Sequence, residues 1–359
     1  MKYTGIELIR HLSVAFGPSG CEDAVRDLII EQIEGACDGY CIDRVGNLVA
    51  RVSGRGMDYH PSTPRRLMLC AHMDEVGFMV SHVTEEGYLK FGNIGGIDPR
   101  MLCGRHVTVG NEAGVIPGVI ASKAIHLQTK EERGKATPSD KLYIDIGAVN
   151  KEDAECYVAV GDFATFASDF EIFGKDGGRM KGKALDDRAG CAAMIEIMRV
   201  LHEDTADRPF DVYFAFTTCE EIGIPGASVA AHTVNPDWAI VLESTAINDV
   251  PGAVGAARVA EVGDGVAVSL VDNGTIYDQG LIRLALDIGA AENIPRQVKN
   301  RVSGSNDARV IQRSLDGVRV LALSLPTRYI HSASCVAAVS DYAAMRDLPL
   351  AMIRAWERL

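Results

Sequence analysis

The sequence predicts an α/β protein with an all-β unit inserted into it, and three observations carry that prediction. Apolar, β-branched segments alternate with stretches of helical periodicity towards both ends of the chain, which implies a mostly parallel sheet covered by helices on both faces. From about Gly77 to Lys175 this gives way to short segments separated by glycine or proline, with little helical periodicity, as in a small barrel. The chain is also long enough, at 359 residues with 47% hydrophobic content, to bury a large core or form two domains. The expected division is 1–76 with 176–359 as one discontinuous domain, and 77–175 as the insert.

Each element has its own signal. Ile6 to Phe16 carries apolar residues at helical spacing and stops at Gly17-Pro18. Ser19 followed by Glu22 has the form of a capping box, opening a second helix through Ile33. Tyr40 to Val52 reads as a hairpin turning at Gly46-Asn47. His60 to Arg66 reads as a loop, and Leu67 to Asp74 as a buried strand. Within the insert, strands are expected at Gly77–Val83, Tyr88–Phe91, His106–Val109, Gly114–Ile120, Leu142–Ile146 and Asp162–Phe166, with a mobile loop over Thr129 to Asp140. Beyond it, Ala192, Ile195, Met198 and Leu201 form one stripe of a helix, with Asp186 and Asp187 at its amino end in the position of caps. Phe214 onwards is a strand, Ala227–Ala231 a small-residue helix, and Trp238–Leu242 a strand ending at Glu243. Leu281–Ala290 suits a helix, Val318–Ser324 a strand, and Val339 to about Arg358 a final helix.

Composition narrows the function. A formal net charge of -13, with no basic cluster, argues against a nucleic-acid partner. No run reaches the roughly 18 apolar residues of a membrane span. The amino terminus lacks the apolar core of a signal peptide, so a cytoplasmic protein is expected. Nine cysteines, an odd number with no C-x-x-C pair, fit reduced thiols. Cys70, Cys103 and Cys191 lie in apolar runs and are expected to be buried.

The chemistry gathers at strand ends. Phe214 to Thr218 runs into Cys219-Glu220-Glu221-Ile222-Gly223, placing two adjacent carboxylates at the end of a core strand. There they repel one another and call for a positive partner. His72 and Asp74 are two apart at the end of another strand and share a face, the arrangement in which a carboxylate orients a metal-binding imidazole. Ligands bind at the carboxyl ends of strands in such sheets. His72, Glu220, Glu221, Glu243 and His331, with Asp186 nearby, therefore fit one or two divalent cations of the zinc, cobalt or manganese kind.

Three segments, Ala71-His72-Met73-Asp74-Glu75-Val76-Gly77-Phe78, Ala184-Leu185-Asp186-Asp187-Arg188-Ala189-Gly190-Cys191 and Glu220-Glu221-Ile222-Gly223, closely resemble the tetrahedral (TET) aminopeptidases. That group includes glutamyl and deblocking aminopeptidases. Ser122–Leu127, Asp145–Ala148, Asn306–Ala308 and Arg328–Ser332 extend the likeness over nearly the whole chain. The resemblance implies a three-layer phosphorylase/hydrolase-like α/β/α domain carrying a β-barrel dimerisation insert. It implies a co-catalytic pair of divalent metals, zinc first with cobalt or manganese as alternatives, that hydrolyses amino-terminal residues from short peptides. By the same likeness His72 binds one metal and Asp74 orients it. Asp186 bridges the two, with Asp187 no ligand. Glu220 is the general base, Glu221 and Glu243 each bind one metal, and His331 closes the set. Dimers assembling into tetrahedral dodecamers are implied as well. Glu243 departs from the aspartate usual in the family, and Pro225, Ser303–Asn306 and Ser332–Cys335 depart from its commoner wording. Two alternatives stand beside this reading: an endoglucanase-type glycoside hydrolase and a catalytically silent oligomeric binding protein.

Overall fold

A computed structural model describes residues 2–62, 65–355 and 357. In chain order the strands are β1 (Gly39–Ile42), β2 (Leu48–Val52), β3 (Arg65–His72), β4 (Gly77–Val83), β5 (Leu89–Ile94), β6 (His106–Asn111), β7 (Gly114–Ala121), β8 (Tyr143–Asp145), β9 (Phe163–Phe166), β10 (Glu171–Phe173), β11 (Arg179–Gly182), β12 (Phe210–Thr217), β13 (Trp238–Ala246), β14 (Val266–Ser269), β15 (Arg296–Lys299), β16 (Arg319–Thr327) and β17 (Cys335–Ala338). The helices are α1 (Gly5–Val14), α2 (Asp23–Ile33), α3 (Lys130–Arg133), α4 (Lys151–Ala154), α5 (Leu185–Glu203), α6 (Pro225–Val234), α7 (Gln279–Ala291), α8 (Ala308–Ile311) and α9 (Val339–Arg354).

Eight strands form one sheet in the order β1-β2-β12-β3-β13-β16-β14-β15. Its centre is parallel, from β12 through β3 and β13 to β16. The hairpin β1-β2 joins antiparallel to β12, and β14 runs antiparallel to β16, so the sheet is mixed. The central strands read as apolar runs because both their faces are covered: every residue of β13 but the last is buried. Helices α1, α5, α7 and α9 pack on one another and on one face, and α6 with α8 cover the other. A three-stranded sheet, β10-β11-β17, closes one side.

Strands β4 to β9 form a closed barrel in the order β4-β5-β8-β7-β6-β9, at the places the sequence marked, within two or three residues at each end. Inside it Phe78 packs edge-on against Phe91 and Phe166, with ring centroids 5.0 and 5.4 Å apart. No described helix is long and apolar enough to cross a membrane.

Several expectations need correction. Ser19 and Glu22 do not cap α2: its first residue follows Glu22, and no side chain bonds its amino end. Asp186 does not cap α5 either: the backbone at Asp186 and Asp187 is not helical, and it is the Asp187 carboxylate that accepts from the Gly190 N–H at 3.1 Å. The strand before Glu243 continues to Ala246, since its partner β16 runs on to Thr327 beside it. The segment Thr129–Asp140 holds a turn of helix, α3, closed by a true capping box between Thr129 and Glu132. The short strands β14 and β15 went unmarked. The last helix ends at Arg354, and Arg358 lies outside the described residues, as do residues 63 and 64 of the expected 60–66 loop. All nine cysteines are free, but Cys103, expected to be buried, is exposed.

Candidate metal centre

β3 delivers His72 to the carboxyl edge of the sheet, where it is completely buried. Its Nδ1 lies 3.0 Å from the Asp74 main-chain oxygen and 3.4 Å from Asp74 Oδ1. A carbonyl can only accept, so Nδ1 carries the proton and Nε2 is left to face Asp186 Oδ1 at 3.3 Å and Glu243 Oε1 at 3.4 Å. The loop after β16 delivers His331 in a left-handed conformation (φ 58). There Nδ1 donates to the Gly96 carbonyl at 2.8 Å, and Nε2 faces Asp186 Oδ2 at 3.3 Å and Glu221 Oε2 at 3.2 Å. Each oxygen of Asp186 is thus turned to a different imidazole. Donor atoms of His72, Asp187 and Glu243 fall within 4.8 Å of one another, as do those of His72, Asp186 and Glu221.

The turn carrying Glu220 and Glu221 hangs on three buried side chains. The Asp74 carboxylate accepts from the Glu220 and Glu221 backbone N–H groups at 2.9 and 3.1 Å, and from the Ser19 hydroxyl at 2.6 Å. Glu22 accepts from the Gly20 and Cys219 N–H groups, both at 3.0 Å. Asn47, from the β1-β2 turn, accepts from Thr218 N–H and donates to the Gly226 carbonyl. Gly226 has no room for a side chain, since a Cβ there would stand 2.2 Å from the Thr218 oxygen. Fully buried Arg188 donates to the carbonyls of Met73, Leu12 and Gly17, clamping the α1–α2 connection against the end of β3. Beside it Lys183 pairs with Glu75. Below the site Asp307 accepts from Thr217 Oγ1 at 2.6 Å and from the Cys70 thiol.

The clustered carboxylates and imidazoles perturb one another strongly. Burial, with Glu243, Asp307 and Glu221 nearby, pushes Glu220 up to about 10. Burial and Asp186 push Glu221 up to about 8, and Glu243 also stands well above its usual value. Against burial, the carboxylates hold both imidazoles up, His331 to about 9. Against their burial, Asp186 is driven down by hydrogen bonds from His331 and His72, and Asp74 is lowered by His72, Ser19 and the Glu220 N–H. Divalent cations would satisfy the same atoms. Glu221 Oε1 and Asp187 Oδ2 are buried without a hydrogen-bond partner. Imidazoles with fixed tautomers, a carboxylate between them and carboxylates on either side make a donor set that could hold a metal ion. A cavity of about 240 Å³ opens on it, lined by Asp186, Glu220, Glu221, Glu243 and His331, and by Asp272, Lys299 and the 303–306 segment.

All the residues expected at the site lie together around Asp186. Sequence reasoning missed Ser19, Glu22, Asn47, Gly96, Arg188 and Lys299. The Ser19/Glu22 spacing was noticed but read as a helix start. Gly96 acts through its main-chain oxygen and leaves no signal in the sequence.

The same architecture occurs in a TET aminopeptidase from a marine-sediment Thaumarchaeota archaeon, 33% identical, with a TM-score of 0.91 over 97% of this chain and 95% of that one. The TET1 peptidase of Pyrococcus horikoshii, described as assembling into a tetrahedron or a large octahedral shell, is 34% identical. Its TM-score is 0.84 over 96% of this chain and 98% of its own. A Thermotoga maritima protein described as an endoglucanase is 31% identical, with a TM-score of 0.78 over 98% and 97% of the two chains. Residues 46–348, which include His72, Asp74, Asp186, Glu220, Glu221, Glu243 and His331, match the M42 glutamyl aminopeptidase family, and the chain belongs to that family of peptide-bond hydrolases.

Proposed function

We propose that the protein is a co-catalytic di-metal aminopeptidase that releases amino-terminal residues from short peptides. The observation that carries this is Asp186, whose two oxygens face two imidazoles held from opposite sides. His72 and Glu243 would hold one cation, His331 and Glu221 the other, with Asp186 shared between them and Asp187 a neighbour, not a ligand. Bound there, zinc, or cobalt or manganese in its place, would supply a water acidified to near neutral pH and a Lewis acid for the scissile carbonyl. Glu220 has no side-chain ion pair among the described residues and faces the cavity, so it is free to take a proton from the attacking water and return it to the departing amine. Asp74 sets both His72 and the turn bearing Glu220, so that base and ligands keep one register. Glu243 meets His72 Nε2 at 3.4 Å from within β13.

The glycosidase alternative draws support from the description of one relative. Such enzymes need a carboxylate pair flanking a sugar bond, a task that leaves two imidazoles interleaved with the acids unexplained. A silent binding protein would have no use for the whole set. By analogy with the relatives' shells, we assign the barrel, 77–175, to dimerisation and the remainder, 1–76 with 176–359, to catalysis, with dimers building a dodecamer. A cytoplasmic location goes with this reading and with the unpaired cysteines.

The test is hydrolysis by the chelated protein after adding back zinc, cobalt or manganese. The substrates are peptides with free and acetylated amino termini. Release of single residues from free termini only, falling by on the order of 10²–10⁴ in Glu220→Gln, is expected. Metal-independent release, or cleavage of cellulose oligomers in its place, would overturn the assignment.

A further inference from the structure

His331 stands on an unfavourable stretch of backbone. Tyr329 and His331, neither of them glycine, both sit in the left-handed region (φ 57 and 58), which persists only where the surroundings over-determine it. Besides the Gly96 carbonyl, three anchors hold this turn. The Ser332 hydroxyl donates to the Tyr329 carbonyl at 2.6 Å. At the base Arg328 and Val336 exchange backbone hydrogen bonds at 2.9 and 3.0 Å. The third anchor is a side chain. Arg328 donates from Nε to Asp249 Oδ1 at 2.6 Å and from Nη2 to Asp249 Oδ2 at 2.7 Å, a two-pronged ion pair that fixes direction as well as distance.

Asp249 is placed by the neighbouring strand. β13 and β16 run side by side to Ala246 and Thr327, so Arg328 leaves the sheet next to the loop that leaves β13. In that loop the Asp249 side chain, 4% exposed, also accepts from the Val262 N–H at 3.2 Å. Burial pushes its carboxyl up, but the bonds from Arg328 and Val262 outweigh that and hold it below the ordinary value, so the pair is charged at neutral pH. It ties the exit of the strand carrying Glu243 to the loop carrying His331.

Resting on the di-metal reading, we propose that Arg328 and Asp249 are positioning residues for His331: their ion pair fixes the turn that aims Nε2 at Asp186 and Glu221, and so sets the affinity of the cation on that side. His72, delivered by β3 and oriented by the Asp74 carbonyl, does not depend on it. A lysine could not replace Arg328, because only the planar fork meets both carboxylate oxygens at once.

The experiment compares the full-length protein with Arg328→Met, Arg328→Lys and Asp249→Asn. In calorimetric titration of chelated protein with zinc, one cation should weaken by about 10–100-fold in Arg328→Met and Asp249→Asn, with the other unchanged, and by less in Arg328→Lys. Combining Arg328→Met with Asp249→Asn should add nothing to either alone, since the two act as a unit. A second readout needs no metal. Carbethoxylation by diethyl pyrocarbonate, mapped by mass spectrometry in chelated protein, should speed up several-fold at His331 and stay slow at buried His72. Equal weakening of both cations with a lowered melting temperature would make the pair a general support of the fold and overturn the proposal, as would unchanged labelling of His331. If the wild type takes up one zinc or none, the di-metal reading fails, and the labelling still decides whether the pair positions His331.

Discussion

The two histidines of the centre do one job from different foundations. His72 ends a central strand, is fully buried, and is oriented by a carbonyl two residues further along its own chain. His331 stands on a loop in a left-handed conformation, is half-buried, and is oriented by Gly96 of the barrel, 235 residues away. One half of the centre is therefore built by the sheet alone. The other exists only when the barrel is docked against the sheet.

Removing each histidine should separate the two cases. His72→Ala removes the buried imidazole that faces both Asp186 Oδ1 and Glu243 Oε1, so we expect loss of activity together with about 3 kcal/mol of stability in denaturant titration. His331→Ala opens a half-exposed position and should also abolish activity, but cost only about 0.5 kcal/mol or less. Equal destabilisation by the two would break the distinction.

A smaller effect should follow from the barrel side. At Gly95 the backbone is left-handed (φ +78), and a Cβ would stand 2.8 Å from Val76 Cγ1, so Gly95→Ala must shift the loop that carries the Gly96 carbonyl. Weakening of one of the two cations by about 10–100-fold, with the other unchanged, is expected in calorimetric titration. If both weaken together, the half-sites are not independent.

The mildest effect is a slope with pH. In chelated protein Glu221 keeps its proton up to about 8, against an ordinary value of 4.5. Between those values the folded chain binds a proton that the unfolded chain has released, so stability must fall as pH rises. His331, also held up, acts in the same direction between 6.5 and about 9. Melting temperatures in chelator should decline from pH 5 to pH 8, and saturating zinc should flatten the decline. A rise in chelator would contradict the electrostatic account.

How much of this was legible follows the same division. His72, Glu220 and Glu221 could be read because central strands are continuous apolar runs, and a polar residue at the end of such a run stands out. The barrel strands could be read because glycines and prolines punctuate them. Glu243 was found, but its strand was cut short, since polar residues usually end a strand and here the pairing with Ser324 to Thr327 carries it on. Ser19 and Glu22 obeyed a helix-capping pattern while bonding instead to Asp74 and to the Cys219 turn. That choice depends on which loop packs nearby, and no local spacing encodes it. The short strand β15, ending in Lys299, is four residues long and mostly polar, and gave no periodicity to detect.

The central claim is that Asp186 joins two half-sites into one centre. The most direct measurement is the number of zinc ions retained per chain by exhaustively dialysed protein, compared with Asp186→Asn, using elemental analysis. The account predicts two in the wild type and one or fewer in the variant. A single ion in the wild type, or two retained without the Asp186 carboxylate, would contradict it.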